Sequence, residues 1–166
     1  MRVSDIIGEN WDRTVPTRGG PVDLYRDPSR AELTKLLHLH GILRAFLDRD
    51  GTLFVWDSYA ATHGDVEDDT SLGGSVILNR SGVELNHLED FRPGKPQAGK
   101  LRSVVEALGA NPSLQRFYGQ GFVPRGVWAD RNQYYGLSPA WLDANVDPDG
   151  TFHAGDLGPG LLGSAR

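Results

Sequence analysis

The sequence predicts a single α+β domain, a small and mainly antiparallel sheet built from two hairpins plus an N-terminal strand, covered by two amphipathic helices. Three observations carry this reading. Two pairs of β-rich runs are joined by short turn sequences, Asp48-Arg-Asp-Gly51 and Asn79-Arg-Ser-Gly82, which is hairpin spacing. Two stretches place apolar residues three and four apart, Leu33, Leu36 and Leu37 in one and Leu101, Val104, Val105 and Leu108 in the other, the signature of a half-buried helix. The 166 residues include 21 Gly and 10 Pro, well above the roughly 12% of average usage, so the elements are short and much of the chain is turn and loop.

The elements follow in order. Residues 1–21 hold one apolar cluster, Val3, Ile6, Ile7 and Trp11, and then Gly and Pro punctuation, which predicts a docked N-terminal arm or one helical turn. Val22-Asp-Leu-Tyr-Arg26 alternates as a strand and stops at Asp27-Pro28. Ser29 with Glu32 three residues on forms a capping box, so a helix opens there, runs to about His40 and closes on Gly41. Strands are expected at 43–47, 52–57, 74–78 and 83–88, a short helix around Ala60 to His63, and a second amphipathic helix at 97–108 followed by a short one near 111–117. Residues 119–154 are weakly periodic but rich in aromatics, and predict an ordered wrap over the body. The domain thus spans 1–154, and the Gly-rich 155–166 is expected to be a flexible tail.

Composition excludes several function classes. The absence of Cys removes disulfides, thiolate metal sites and a Cys nucleophile. A net charge of −5 argues against nonspecific nucleic-acid binding as the main activity. No apolar run approaches the roughly 18 residues needed to span a bilayer, and the N-terminus lacks a signal-peptide core, so no membrane partner is expected.

Two constellations could carry chemistry. Phe46-Leu-Asp-Arg-Asp-Gly-Thr-Leu53 resembles the first motif of the haloacid-dehalogenase-like phosphohydrolases. That resemblance implies Asp48 as a phosphoryl-accepting nucleophile and Asp50 as general acid/base beside Mg²⁺. The motif sits between two β-like runs with no helix after it. Its later partners would have to come from Ser75 or Ser81, Lys95 or Lys100, and Gly155-Asp156, where no second carboxylate follows. A hairpin turn is the preferred reading of Asp48 and Asp50. The second constellation is Asp57, His63 and Asp65, with Glu67, Asp68 and Asp69 behind them. One imidazole among carboxylates suits a divalent cation or a general base, although the spacing matches no closed metal motif. His38, His40, His87 and His153 read as structural. The run Phe117-Tyr118, Phe122, Arg125, Trp128, Arg131 and Tyr134-Tyr135 reads as a satellite core rather than a stacking surface for bases.

A longer resemblance covers Val22 to Val66. Asp27-Pro-Ser-Arg-Ala-Glu-Leu33, then Leu43-Arg44, a polar turn, Phe54-Val-Trp-Asp57 and His63 resemble a pattern in small, mostly uncharacterised proteins of tailed bacteriophages and prophages. It implies an αβ unit with a hairpin at 43–57 and a phage setting, in the host cytoplasm or the virion, and assigns no catalytic residue. The expected function is therefore a non-enzymatic phage accessory or virion-associated protein that works through protein partners, with no cofactor. The alternative is a small metal-dependent hydrolase using Asp48 and Asp50, or Asp57, His63 and Asp65, with Mg²⁺ or another divalent cation.

Overall fold

The computed structural model describes residues 9–129, 132–153 and 161–164. The chain is α+β. Its strands are β1 (Trp11–Thr17), β2 (Gly20–Arg26), β3 (Leu43–Leu47), β4 (Leu53–Asp57), β5 (Ser75–Asn79), β6 (Gly82–Asn86), β7 (Arg125–Val127), β8 (Gln133–Gly136) and β9 (Leu161–Ser164). The helices are α1 (Arg30–His40), the single turn α2 (His63–Val66), α3 (Leu101–Ala110), α4 (Pro112–Tyr118) and α5 (Pro139–Asn145). One sheet holds the strands in the order β1-β2-β4-β3-β5-β6-β7-β8-β9. Every neighbouring pair is antiparallel except β6 and β7, which run parallel. Among the described residues no helix is long and apolar enough to cross a membrane.

The strand alternation splits the core in two. Leu43, Ala45 and Leu47 of β3 and Leu53 and Val55 of β4 point to one face, where Leu33, Leu36 and Leu37 of α1 and Leu101, Val104 and Leu108 of α3 cover them. Phe46, Phe54 and Trp56 point to the other face and pack with Val22, Leu24, Ala61 and Val66. The strands β3 and β4 are therefore covered on both sides, which is why they read as near-continuous apolar runs.

The α1 capping box forms as its sequence requires. The Ser29 hydroxyl accepts from Glu32 N–H at 3.1 Å, and Glu32 Oε1 accepts from Ser29 N–H at 3.0 Å. Both predicted hairpins are present in register. Several expectations need correction. Residues 11–17 are not an arm but an edge strand paired to β2 through the turn at Arg18-Gly19. Neither of its faces is fully buried, so it carries no clean alternation. The segment after Gly119 does not merely wrap the body, because β7 and β8 extend the sheet and α5 packs Trp141 and Leu142 into the core. Pairing through three- and four-residue strands leaves too short a period to read. The short helix begins at His63 rather than ending there, and α3 starts at Leu101 after the turns of 93–100. Strand β6 ends at Asn86, where His87 turns left-handed (φ 59°) into a 3₁₀ turn over Leu88–Phe91. Within the expected tail, Leu161–Ser164 pairs with β8. Val3, Ile6, Ile7, Arg131 and Gly155-Asp156 lie outside the described residues.

Candidate functional site

The Asp48–Asp50 segment is the tight turn between β3 and β4. Asp48 N–H donates to Thr52 O and Gly51 N–H to Asp48 O, both at 3.0 Å. The Asp48 carboxylate turns back onto the loop, its Oδ1 accepting from Asp50 N–H at 2.9 Å and Thr52 N–H at 3.0 Å. This is the Asx-turn geometry that Asp supplies at such positions, with Gly51 at φ 83° completing it. Asp50 is exposed. Strand β3 is antiparallel to both its neighbours, so the turn is not the carboxyl end of a central parallel strand, the place where phosphoryl-transfer carboxylates of an α/β sheet would sit.

The second constellation is distributed rather than gathered. Asp57 Oδ1 accepts from Tyr59 N–H at 3.0 Å, and its Oδ2 lies 3.4 Å from His40 Nδ1. Asp65 caps α2: its Oδ2 accepts from Thr62 N–H at 3.2 Å and from the Thr62 hydroxyl at 2.9 Å, while Oδ1 pairs with Arg18 at 3.2 Å. The Thr62 bonds, helped by Arg18, hold the Asp65 carboxyl below the usual carboxylate range. Among the described residues no group of three or more His, Asp or Glu side chains is placed to hold a metal ion.

His63 is where sequence and geometry converge most. It opens α2 behind the Thr62 cap and projects into the sheet, with its ring edge-on to Trp56 at 5.3 Å. Nε2 lies 3.1 Å from both Ala45 O on β3 and Val76 O on β5. Ala45 and Val76 form the last paired register of these two strands. The imidazole thus takes the place of the next ladder rung and satisfies carbonyls that the diverging strands would leave without a donor. Two carbonyl neighbours require Nε2 to carry the hydrogen, so Nδ1 is an acceptor, and Arg44 Nη1 donates to it at 3.3 Å. Burial, reinforced by the Arg44 charge, pushes the His63 pKa down to about 4. The ring is neutral at pH 7, and both of its nitrogens are engaged.

Arg44 links this staple to the surface. It lies on the His63 face of β3, opposite Trp56 of β4 and Ile77 of β5. Its Nε donates to Ser58 O at 3.3 Å. Above it opens a groove of about 600 Å³ whose walls include Arg18, Gly19, Tyr59, Ala60, Ala61 and Asp65. Tyr59 stands 79% exposed at its edge. Sequence reasoning singled out His63, Asp57 and Asp65 but missed Arg44, Arg18 and Tyr59. A signal for Arg44 existed, since a charged residue in the apolar run Leu43-Arg-Ala-Phe-Leu47 must find polar partners once the strand is covered on both faces. Arg44, Trp56 and His63, three of the residues behind the phage-protein resemblance, meet at this one place. No family model, curated protein or solved structure matches this chain.

Proposed function

We propose that this chain is a non-enzymatic bacteriophage accessory or virion-associated protein that acts through protein–protein contacts, in the host cytoplasm or in the virion. The phage setting rests on the resemblance of residues 22–66. The observation that carries the contact reading is the division of labour around Arg44. Asp48, Asp57, His63 and Asp65, four of the side chains suited to catalysis, are spent on a turn, a cap or a strand junction. The surface beside them is an open groove with an exposed aromatic at its edge, a composition typical of a contact surface. This reading needs no cofactor.

The test has two arms. A photo-cross-linking amino acid replaces Tyr59, and in a control the well-exposed Asp143, in cells that also carry the encoding phage or prophage. A discrete protein adduct at 59 and none at 143 is the expected result. In parallel, the purified protein is incubated with Mg²⁺ and a generic phosphoester. Turnover that disappears in Asp48→Asn would overturn the proposal in favour of a hydrolase.

A further inference from the structure

We propose that the groove receives a single carboxylate, the side chain of an Asp or Glu in a partner's peptide segment, on the guanidinium of Arg44. The proposal rests on the protein-contact reading above and names what that contact recognises.

Arg44 is a half-buried cation held only by neutral acceptors. It donates to Ser58 O and His63 Nδ1, each at 3.3 Å, and among the described residues no carboxylate comes within ion-pair distance of it. These two bonds fix the plane of the guanidinium and use two of its five N–H groups, leaving the rest of the fork for a ligand. A guanidinium that faces an open groove with its plane already fixed can take an incoming carboxylate in charge-assisted, bidentate bonds with little further ordering. His63 serves the same end: as a neutral acceptor it orients Arg44 without adding charge.

The surroundings select the kind of anion. Asp57 and Asp65 border the groove's own loop, Glu67, Asp68 and Asp69 follow in the same segment, and the whole chain carries −5. A polyanion such as a nucleic-acid backbone carries further charges past the arginine into those acids and is repelled there, whereas a lone carboxylate places its one charge on the guanidinium and meets chiefly Asp65, which Arg18 already pairs. The remaining walls combine Gly19, Ala60, Ala61 and Tyr59 with Ser58 and Thr62, small or aromatic residues that leave room for a small side chain next to the acid. Arg18, 90% exposed and tethered to Asp65, adds a second cation at the rim without filling the groove.

The experiment is a titration of ¹⁵N-labelled protein with the capped tripeptide acetyl-Ala-Glu-Ala-amide, with its Gln counterpart, and with inorganic phosphate, following the Arg44 Nε–H signal and the amides of Tyr59 to Thr62. The Glu peptide is expected to shift these signals saturably, with a dissociation constant of roughly millimolar order, and to bind about tenfold tighter than the Gln peptide. Tyr59→Ala, a change at an exposed position that leaves folding intact, is expected to weaken the Glu peptide several-fold. Arg44→Gln is expected to abolish the preference for Glu over Gln. Equal shifts from the Glu and Gln peptides, shifts confined to another surface, an unmoved Arg44 signal, or phosphate binding in place of the peptide would each overturn the proposal. A specific cross-link at position 59 that survives such a result would leave the contact reading standing and remove the carboxylate alone.

Discussion

Two buried titrating groups lie in the same short segment and pull the stability of the fold in opposite directions with pH. Glu67 follows α2, and its Oε1 is buried without a hydrogen-bond partner. Burial drives its pKa up to about 7; the Ser71 hydroxyl bond partly offsets this, and neighbouring Asp68 adds to it. A raised carboxyl pKa stabilises the fold fully below the unfolded value of 4.5, and that contribution is lost as pH rises through about 7. His63, lowered from 6.5 to about 4, does the reverse: its contribution is complete above 6.5 and is lost as pH falls through about 4. The His63 displacement corresponds to about 3 kcal/mol and that of the partly exposed Glu67 to no more than about 3 kcal/mol, since solvent screens part of it. Between about pH 4.5 and 6.5 the two slopes overlap and nearly cancel. The perturbation that separates them is Glu67→Gln, which keeps the shape and removes the proton. Urea unfolding from pH 5 to pH 8 reads the outcome. Near pH 5 the variant and the parent should be close in stability. By pH 8 the variant should be the more stable by up to about 3 kcal/mol, and its remaining pH dependence should rise toward neutrality as His63 dictates. Parallel curves for the two proteins would refute the reasoning, because the other titrating groups are common to both and drop out of the difference.

Three further outcomes follow from single side chains. Asn111→Ala removes the cap of α4, where Oδ1 accepts from Leu114 N–H at 3.1 Å, and the tie from Nδ2 to Gly51 O at 2.9 Å; a loss of about 2 kcal/mol in urea or thermal unfolding is expected. Asp48→Asn keeps an acceptor for the turn and should leave stability nearly unchanged, whereas Asp48→Ala should cost about 1 kcal/mol by the same measurement. His63→Leu leaves the Ala45 and Val76 carbonyls and Arg44 without their partner, and a loss of about 2–4 kcal/mol is expected. Amide exchange in that variant should quicken at the β3–β5 junction before it quickens in α1.

Where the sequence could be read, local chemistry and tertiary packing asked for the same residue. Ser29, Glu32 and Gly41 are legible because a capping box and a left-handed C-cap are decided within a few residues, and here Gly41 turns at φ 79° as that role requires. The turn at Asp48, the apolar runs of β3 and β4 and the alternation of β5 and β6 are legible for the same reason. Strand β1 was not, because an edge strand with neither face fully buried carries no clean alternation, and its start is tied to a helix, Asn10 donating its backbone N–H to Glu32 at 2.9 Å. Strand β7 was not, because it lies parallel to β6 across an intervening stretch that includes α3 and α4. No local period records such a pairing. The groove was hidden for the same physical reason, since it is assembled from the β1–β2 turn, one residue of β3 and the loop after β4.

His63 shows why site and scaffold cannot be separated in this chain. Its position between the last paired carbonyls of β3 and β5 demands a donor, and its contact with Arg44 demands an acceptor one ring-width away. A neutral imidazole meets both demands with one rigid group, whereas a lysine offers only donors and a carboxylate only acceptors. The same burial that holds the ring neutral keeps it from pairing as a cation with the carboxylates, and the one lone pair of the neutral ring is taken up by Arg44. The feature that first marks His63 as a candidate ligand, an imidazole amid acids, is resolved by the sheet into a strand junction. What remains available for recognition is the arginine that the junction holds in place.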